Sequence, residues 1–172
     1  MSDSPSAQPI RSAITVRRAR RDEVAQIVDF QIALAKESEA LELDPATVRH
    51  GVQAIFKHPE RGEYWMAQVD PDQSDCAADD PAVAGCLLTL NEWSDWRNGT
   101  VLWIHSVYVA PGFRRRGVFR TMYRHLEVTV LEDDALHGLR LFVDKGNQAA
   151  QRTYEALGMS DDHYRLFEWL KE

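Results

Sequence analysis

Between Val107 and Val130 the hydrophobic rhythm of the chain changes once. Val107, Tyr108 and Val109 form a β-branched and aromatic run that Pro111-Gly112 ends. Val118, Met122, Leu126 and Val130 then recur every four residues. One segment cannot obey both periods, so a strand, a breaker loop and a helix with a buried stripe must follow in that order. The loop carries an electrostatic oddity. Arg114, Arg115, Arg116 and Gly117 lie at the helix start, with Arg120 and Arg124 one and two turns further on. A helix N-terminus bears roughly half a positive elementary charge and favours carboxylates, not cations. The arrangement makes sense if a multiply charged anion binds there. First-turn N–H groups lack intrahelical partners and, with the dipole, form a phosphate site. Gly117 would let backbone approach a bulky ligand, and guanidinium groups would pair with its oxygens. The plainer reading of the same residues is a solvated face at a loop–helix junction.

The rest of the chain reads as alternating strands and helices around one twisted sheet, a mixed α/β class. Ala13 to Ala19 is a short strand; Asp22 and Glu23 open a helix with Val24, Ile27, Val28, Leu34 and Ala35 on one face. Asp44-Pro45 starts a second helix through Phe56, and His58-Pro59 stops it. Glu63 to Val69, Ala82 to about Trp93, and Thr100 to Val109 are strands. The Asn98-Gly99 pair predicts an antiparallel hairpin between the last two. Leu139 to Val143 is a further strand, and Tyr164 to Leu170 fits a last one. Asn147 to Leu157 is a helix, with Asn147 as its N-cap and Gly158 in the left-handed position beyond its end.

Bulk properties narrow the function classes. At 172 residues the chain has the length of one domain with one substantial core. The expected division is a mobile, Pro/Ser-rich tail over residues 1–12 and a single domain over 13–172. A net charge of −7 opposes general affinity for nucleic acid or an anionic membrane. No apolar run approaches a bilayer span and the first residues lack a signal-peptide core, so the expected compartment is the cytoplasm. Cys76 and Cys86 show no C-x-x-C spacing and are expected as reduced thiols. The acidic, breaker-rich stretch Asp70 to Pro81 reads as a solvated loop. The six histidines form no close pairing, so no metal site is expected.

The phosphate ligand can be narrowed by pattern. The chain lacks G-x-x-x-x-G-K-[ST] and lacks G-x-G-x-x-G, which counts against nucleoside-triphosphate and dinucleotide folds. VYVAPGFRRRGVF followed by LRLFVDKGNQAAQRTYEALGM resembles the GNAT superfamily of N-acetyltransferases. That family's R/Q-x-x-G-x-G/A loop falls on Arg114, Arg115, Arg116, Gly117, Val118 and Phe119. Its N-x-x-A-x-x-x-Y-x-x-x-G-[FM] pattern falls on Asn147, Ala150, Tyr154, Gly158 and Met159. Phe119 departs from the usual Gly or Ala; if its ring turns into the helix packing, the backbone remains open to phosphate. The resemblance extends loosely from Ala13 to Leu170 and implies a central, mostly antiparallel twisted sheet flanked by about four helices.

What the resemblance implies for chemistry is attack of an amine on the thioester of acetyl-coenzyme A (acetyl-CoA), directly and in a ternary complex. The backbone of Val107, Tyr108 and Val109 would pair with the cofactor's pantetheine arm. Arg114 to Arg120, including Gly117, Val118 and Phe119, would hold its phosphates, and Asn147 and Tyr154 would contact the arm. Tyr154 is the general acid, since a phenol is protonated at neutral pH. Read without the motif, it is a core tyrosine and Asn147 a helix cap. The base is His105, Glu92 or Asp95. Alternation along the strand puts His105 on the face of Trp103 and Val107, opposite Ile104 and Ser106. Glu37, Glu39, Glu42 and Asp44, with Trp93 and Trp96, suit a cationic amine of a small molecule or a protein. The resemblance allows a homodimer. Two other functions fit the residues: a non-catalytic acyl-CoA-binding sensor, and an arginine-rich nucleic-acid binder, which the net charge opposes.

Overall fold

The computed structural model describes residues 14–70 and 81–171. The segment read as a tail, Cys76 and all but the ends of the acidic stretch lie outside the described residues. The chain divides into two compact units after Leu141. The first holds β1 (Ile14–Arg18), α1 (Val24–Ser38), α2 (Pro45–Lys57), β2 (Gly62–Val69), β3 (Ala82–Ser94), β4 (Gly99–Val109), α3 (Val118–Glu132) and β5 (Leu136–Leu141). The second holds α4 (Gln148–Ala156).

The five strands form one sheet in chain order, β1 to β5. The pairings from β1 through β4 are antiparallel, and β4 with β5 is parallel. The mixed, mostly antiparallel sheet and the four helices match the expected class. Successive residues of β2 divide the core between two faces. Tyr64 and Met66 pack with Ile27 and Val28 of α1 and Val52 of α2, joined by Cys86 and Leu88 of β3. Trp65 turns the other way, where the His125 ring of α3 meets it edge-on at 5.0 Å. Of the stripe that marked α3, Val118, Met122 and Leu126 are buried and Val130 is half-buried. Each buried one contributes about 1.5–3 kcal/mol relative to exposure.

Local chemistry sets the element ends. Pro45 occupies the first turn of α2, and the Asp44 carboxylate accepts from the Thr47 N–H at 2.9 Å. Before α1, the buried Glu23 carboxylate accepts from Arg17 at 2.5 and 2.9 Å and from the Arg20 backbone N–H at 2.7 Å. These bonds hold the Glu23 carboxyl below the usual range, the Arg17 guanidinium contributing most. The β3–β4 hairpin turns over Asp95–Asn98, with Asn98 left-handed at φ 49° and Ser94 paired to Gly99. A Cβ at Gly99 would lie 2.2 Å from the His137 ring and 2.9 Å from the Ala135 carbonyl, so only glycine admits β5 this closely.

Two strand expectations are corrected. β5 runs over Leu136–Leu141 rather than Leu139–Val143. Asp133 tightens the preceding turn, its carbonyl accepting from the Leu136 N–H at 2.9 Å, and pairing starts there, before the apolar run. His137 and Gly138 hid that start from a reading based on hydrophobicity. Tyr164 to Leu170 belongs to no strand; its residues are exposed and carry no ladder. A β-like composition does not by itself make a strand.

Candidate functional site

The site begins where β4 and β5 part. Ile104–Leu141 is their last pair, so from His105 to Val109 β4 has β3 on one side and no strand on the other among the described residues. At the same place β4 carries one extra residue. Leu88 pairs with Ser106 and Thr89 with Ile104, leaving His105 in a β-bulge. Before the bulge Trp103 lies opposite Leu90; after it Ser106 and Tyr108 lie opposite Leu88 and Cys86, on that same α1/α2 face. The expected alternation is therefore overturned. Trp103 and Val107 face opposite ways, as do Ile104 and Ser106, and His105 is exposed.

The backbone at the unpaired edge follows from the register. The Ala110 N–H donates to the Ala84 carbonyl of β3 at 2.9 Å. Hydrogen-bonded and non-hydrogen-bonded residues alternate along an antiparallel pair. Val109 and Val107 thus turn their amides outward, whereas Tyr108 turns its own toward β3. Of the three residues expected to offer backbone to a ligand arm, Tyr108 is withdrawn for this reason. Its side chain is also engaged: the ring lies 5.2 Å from Phe30, and the hydroxyl donates to Glu37 Oε1 at 3.0 Å. The Ser106 hydroxyl is buried without a hydrogen-bond partner among the described residues.

Beyond β4, Pro111–Phe113 makes one 3-10 turn and the chain reaches α3 through Arg114–Gly117. Arg115 and Gly117 are left-handed, at φ 63° and 85°. A Cβ at Gly117 would meet nothing within 4 Å, so its glycine answers to backbone conformation, not to crowding. The first bond of the helix is Thr121 N–H to the Gly117 carbonyl, which leaves the amides of residues 118–120 ahead of the intrahelical ladder. The half-buried Phe119 ring packs toward Tyr123, one turn on, at 6.4 Å.

The arginines are not equivalent. Arg114 Nη2 donates to Glu37 Oε2 at 2.5 Å, its Nε donates to the Val109 carbonyl at 2.9 Å, and its guanidinium lies 5.6 Å from the Tyr108 ring centroid. Arg116 lies over Phe113, and Arg124 pairs with Glu127. Arg115 and Arg120 extend into solvent. Glu37, read as an amine-binding carboxylate, is held below its ordinary range first by Arg114 and then by the Tyr108 hydroxyl. Nothing in the sequence linked it to Arg114, 77 positions on.

Among the candidate bases, Glu92 accepts from Arg140 at 3.0 Å with both oxygens and from the Trp103 indole N–H. Trp103 and Arg140 are themselves a register pair one step before the fork. This ion pair was invisible in the sequence, where Arg140 sits in an ordinary strand. Burial pushes the Cys86 thiol up to about 12, which keeps it from acting as a thiolate nucleophile. Among the described residues no cluster of His, Cys, Asp or Glu could hold a metal.

In the second unit Asn147 caps α4 as expected, its side chain accepting from the Ala150 N–H at 3.0 Å. Gly158 takes the left-handed conformation at φ 90°. Tyr154, two turns from the cap, is half-buried, and burial raises its phenol above the ordinary value. It remains a protonated donor throughout the neutral range.

The family model of the acetyltransferase (GNAT) family matches residues 36–159. A possible acetyltransferase from Clostridium difficile 630 is 36% identical, with a TM-score of 0.81, covering 92% of this chain and 98% of that one. The aminoglycoside N-acetyltransferase AAC(6')-Iy, solved in complex with CoA, is 13% identical with a TM-score of 0.71, covering 96% and 99%. A ribosomal-protein-alanine N-acetyltransferase from Brucella melitensis biovar Abortus 2308 is 13% identical with a TM-score of 0.67, covering 92% and 100%. The last two share the fold. No curated protein matches the sequence. The match runs through the forked strands, the left-handed loop and the capped helix alike: the chain belongs to the acetyltransferase (GNAT) family.

Proposed function

We propose that this protein is an acetyl-CoA-dependent N-acetyltransferase acting on a primary amine of a small molecule or a protein. The observation that carries the reading is an unpaired edge of β4 leading, through a left-handed loop, into the free amides of a helix start. Such an edge accepts an amide-bearing arm as a strand would be accepted, and the helix start accepts phosphate. Val107 and the Val109 N–H pair with the pantetheine arm. The amides at the start of α3 hold the pyrophosphate, with Arg115, Arg116 and Arg120 neutralising phosphate charge.

The acceptor enters as an ammonium and loses a proton, directly or through water, to His105; Glu92 is ion-paired and acts less readily. The amine nitrogen then attacks the thioester carbonyl, the C–S bond breaks, and the departing thiolate takes the Tyr154 phenolic proton. Asn147 orients the arm as well as capping its helix. Residues 13–172 act as one catalytic domain, and the reaction takes place in the cytoplasm, where the thiols stay reduced. Among the described residues no helix is long and apolar enough to cross a membrane.

The test is thermal unfolding with acetyl-CoA, desulfo-CoA and ATP, followed by thiol release with a panel of amines. At 100 times its dissociation constant a ligand adds about 2.7 kcal/mol of stability. Shifts with both coenzyme A compounds and not with ATP support the cofactor; thiol release on amine addition supports transfer. Cofactor binding with no release from any amine would favour the sensor role instead.

A further inference from the structure

Three arginines in a row at a phosphate loop invite the assumption that all three serve the phosphates. Arg114 is built into something else. Its guanidinium spans from the Glu37 carboxylate, at 2.5 Å, to the Val109 carbonyl, at 2.9 Å, and it lies against the Tyr108 ring. Tyr108 closes the set by donating its hydroxyl to the other Glu37 oxygen at 3.0 Å. Three elements meet there: the last turn of α1, the end of β4 and the first residue of the loop.

The anchor is well founded. Glu37 lies one residue before the end of α1, and that end is closed by the Glu39 and Leu41 N–H groups, both bonded to the Ala35 carbonyl at 3.1 Å. Ala40 adopts the left-handed conformation between them, at φ 54°. The carboxylate therefore projects from a defined helix end rather than from a loose chain. On the loop side, Arg115 sits at φ 63°, a conformation that costs a non-glycine residue about 1 kcal/mol or more and needs neighbours to hold it. The residue before it is the one that is tied down.

We infer that Glu37 is a positioning residue for the cofactor loop, holding Arg114 as a strut that sets the path of residues 115–117 and occupies the outward carbonyl of Val109. The inference rests on the reading of this loop as the coenzyme A pyrophosphate site. The neighbouring arginines then play different parts. Arg114 shapes the loop, and the phosphate charge falls to the cations after it. The arm-binding edge narrows to the Val107 amide groups and the Val109 N–H.

The two roles for Arg114 predict opposite signs for one substitution. If Arg114 is a strut, Glu37→Gln and Arg114→Gln each weaken coenzyme A binding by about three- to tenfold, as expected for an exposed charge-assisted pair. The double variant is then no weaker than the poorer single one, because both remove the same contact. If Arg114 is a phosphate ligand, Glu37→Gln frees it, removes a nearby negative charge and tightens binding. Calorimetric titration of coenzyme A into the four proteins decides between them. Tighter or unchanged binding in Glu37→Gln, or additive losses in the double variant, overturns the inference. Unliganded unfolding temperatures of the variants show whether a loss is local. Failure of the parent to bind coenzyme A would sink the cofactor reading rather than the strut. Hydrogen exchange at the amides of 115–120 then tests the strut by itself. Faster exchange in Glu37→Gln supports it, and equal exchange overturns it.

Discussion

Tyr154 and Gly117 show how much one residue's surroundings decide. Burial raises the Tyr154 phenol and keeps it protonated, as the proposed general acid requires. Tyr154→Phe should lower turnover by about 100-fold, within the range of general acid catalysis, and change coenzyme A affinity little. Steady-state kinetics beside direct titration separates the two effects; equal turnover removes Tyr154 as the acid. At Gly117 the constraint is a φ of 85° with open space around the missing Cβ. Gly117→Val should cost about 1–2 kcal/mol from backbone conformation alone, and lower the unfolding midpoint of the unliganded protein by a few degrees. It should also weaken cofactor binding, because the strained loop would relax away from its path. At this scale the sequence was legible wherever one residue type answers one backbone demand: Asn147 as cap and Gly158 at positive φ, whereas Gly117, read as room for a ligand, answers to a left-handed backbone. It was silent on Glu37 with Arg114 and Glu92 with Arg140, pairs joined only by the fold.

Elements with long, regular patterns were read close to their true limits, because a helix stripe or a hairpin repeats its evidence several times. The stripe places α3 from about Gly117 to Leu131, one residue off the observed Val118–Glu132 at each end, and α2 differs by one residue at its C-terminus. β4 was found, but its facing was read wrongly past the middle. A bulge adds a residue without disturbing hydrophobicity, so strict alternation passes over it unseen. This makes a sharp distinction between removing the side chain at 105 and removing the residue. His105→Ala leaves the register intact and should affect the pH dependence of turnover if His105 is the base. Deleting His105 would remove the bulge and make the ladder regular, because Ile104 and Ser106 already oppose Thr89 and Leu88, and it would leave Ser106 and Tyr108 on their present face. The deletion should therefore keep the Tyr108–Glu37 contact and the outward amides of Val107 and Val109, changing stability by about 1–2 kcal/mol in urea unfolding and leaving coenzyme A titration measurable. A deletion variant that failed to fold would contradict the bulge.

At the scale of the whole molecule, Glu23 makes one contribution to acid sensitivity, beside those of Glu37 and Asp44. Glu23 is buried with Arg17 and is held below the ordinary carboxylate range. A group depressed in the folded state contributes its full stabilisation above its unfolded value, near pH 4.3 for glutamate, and loses it as pH falls through the folded value. Urea midpoints should therefore be flat above about pH 5.5 and fall below about pH 4.5. Glu23→Gln should be less stable at neutral pH, and its decline on acidification should be shallower than the parent's. The unpaired stretch of β4 has a different consequence for the protein in solution. A strand edge with open amides is a template for any other extended chain, including another copy of this one. A ligand arm that occupies the edge removes that template. On the proposed function the cofactor would then double as a solubilising partner, and the unliganded protein is the form expected to aggregate first.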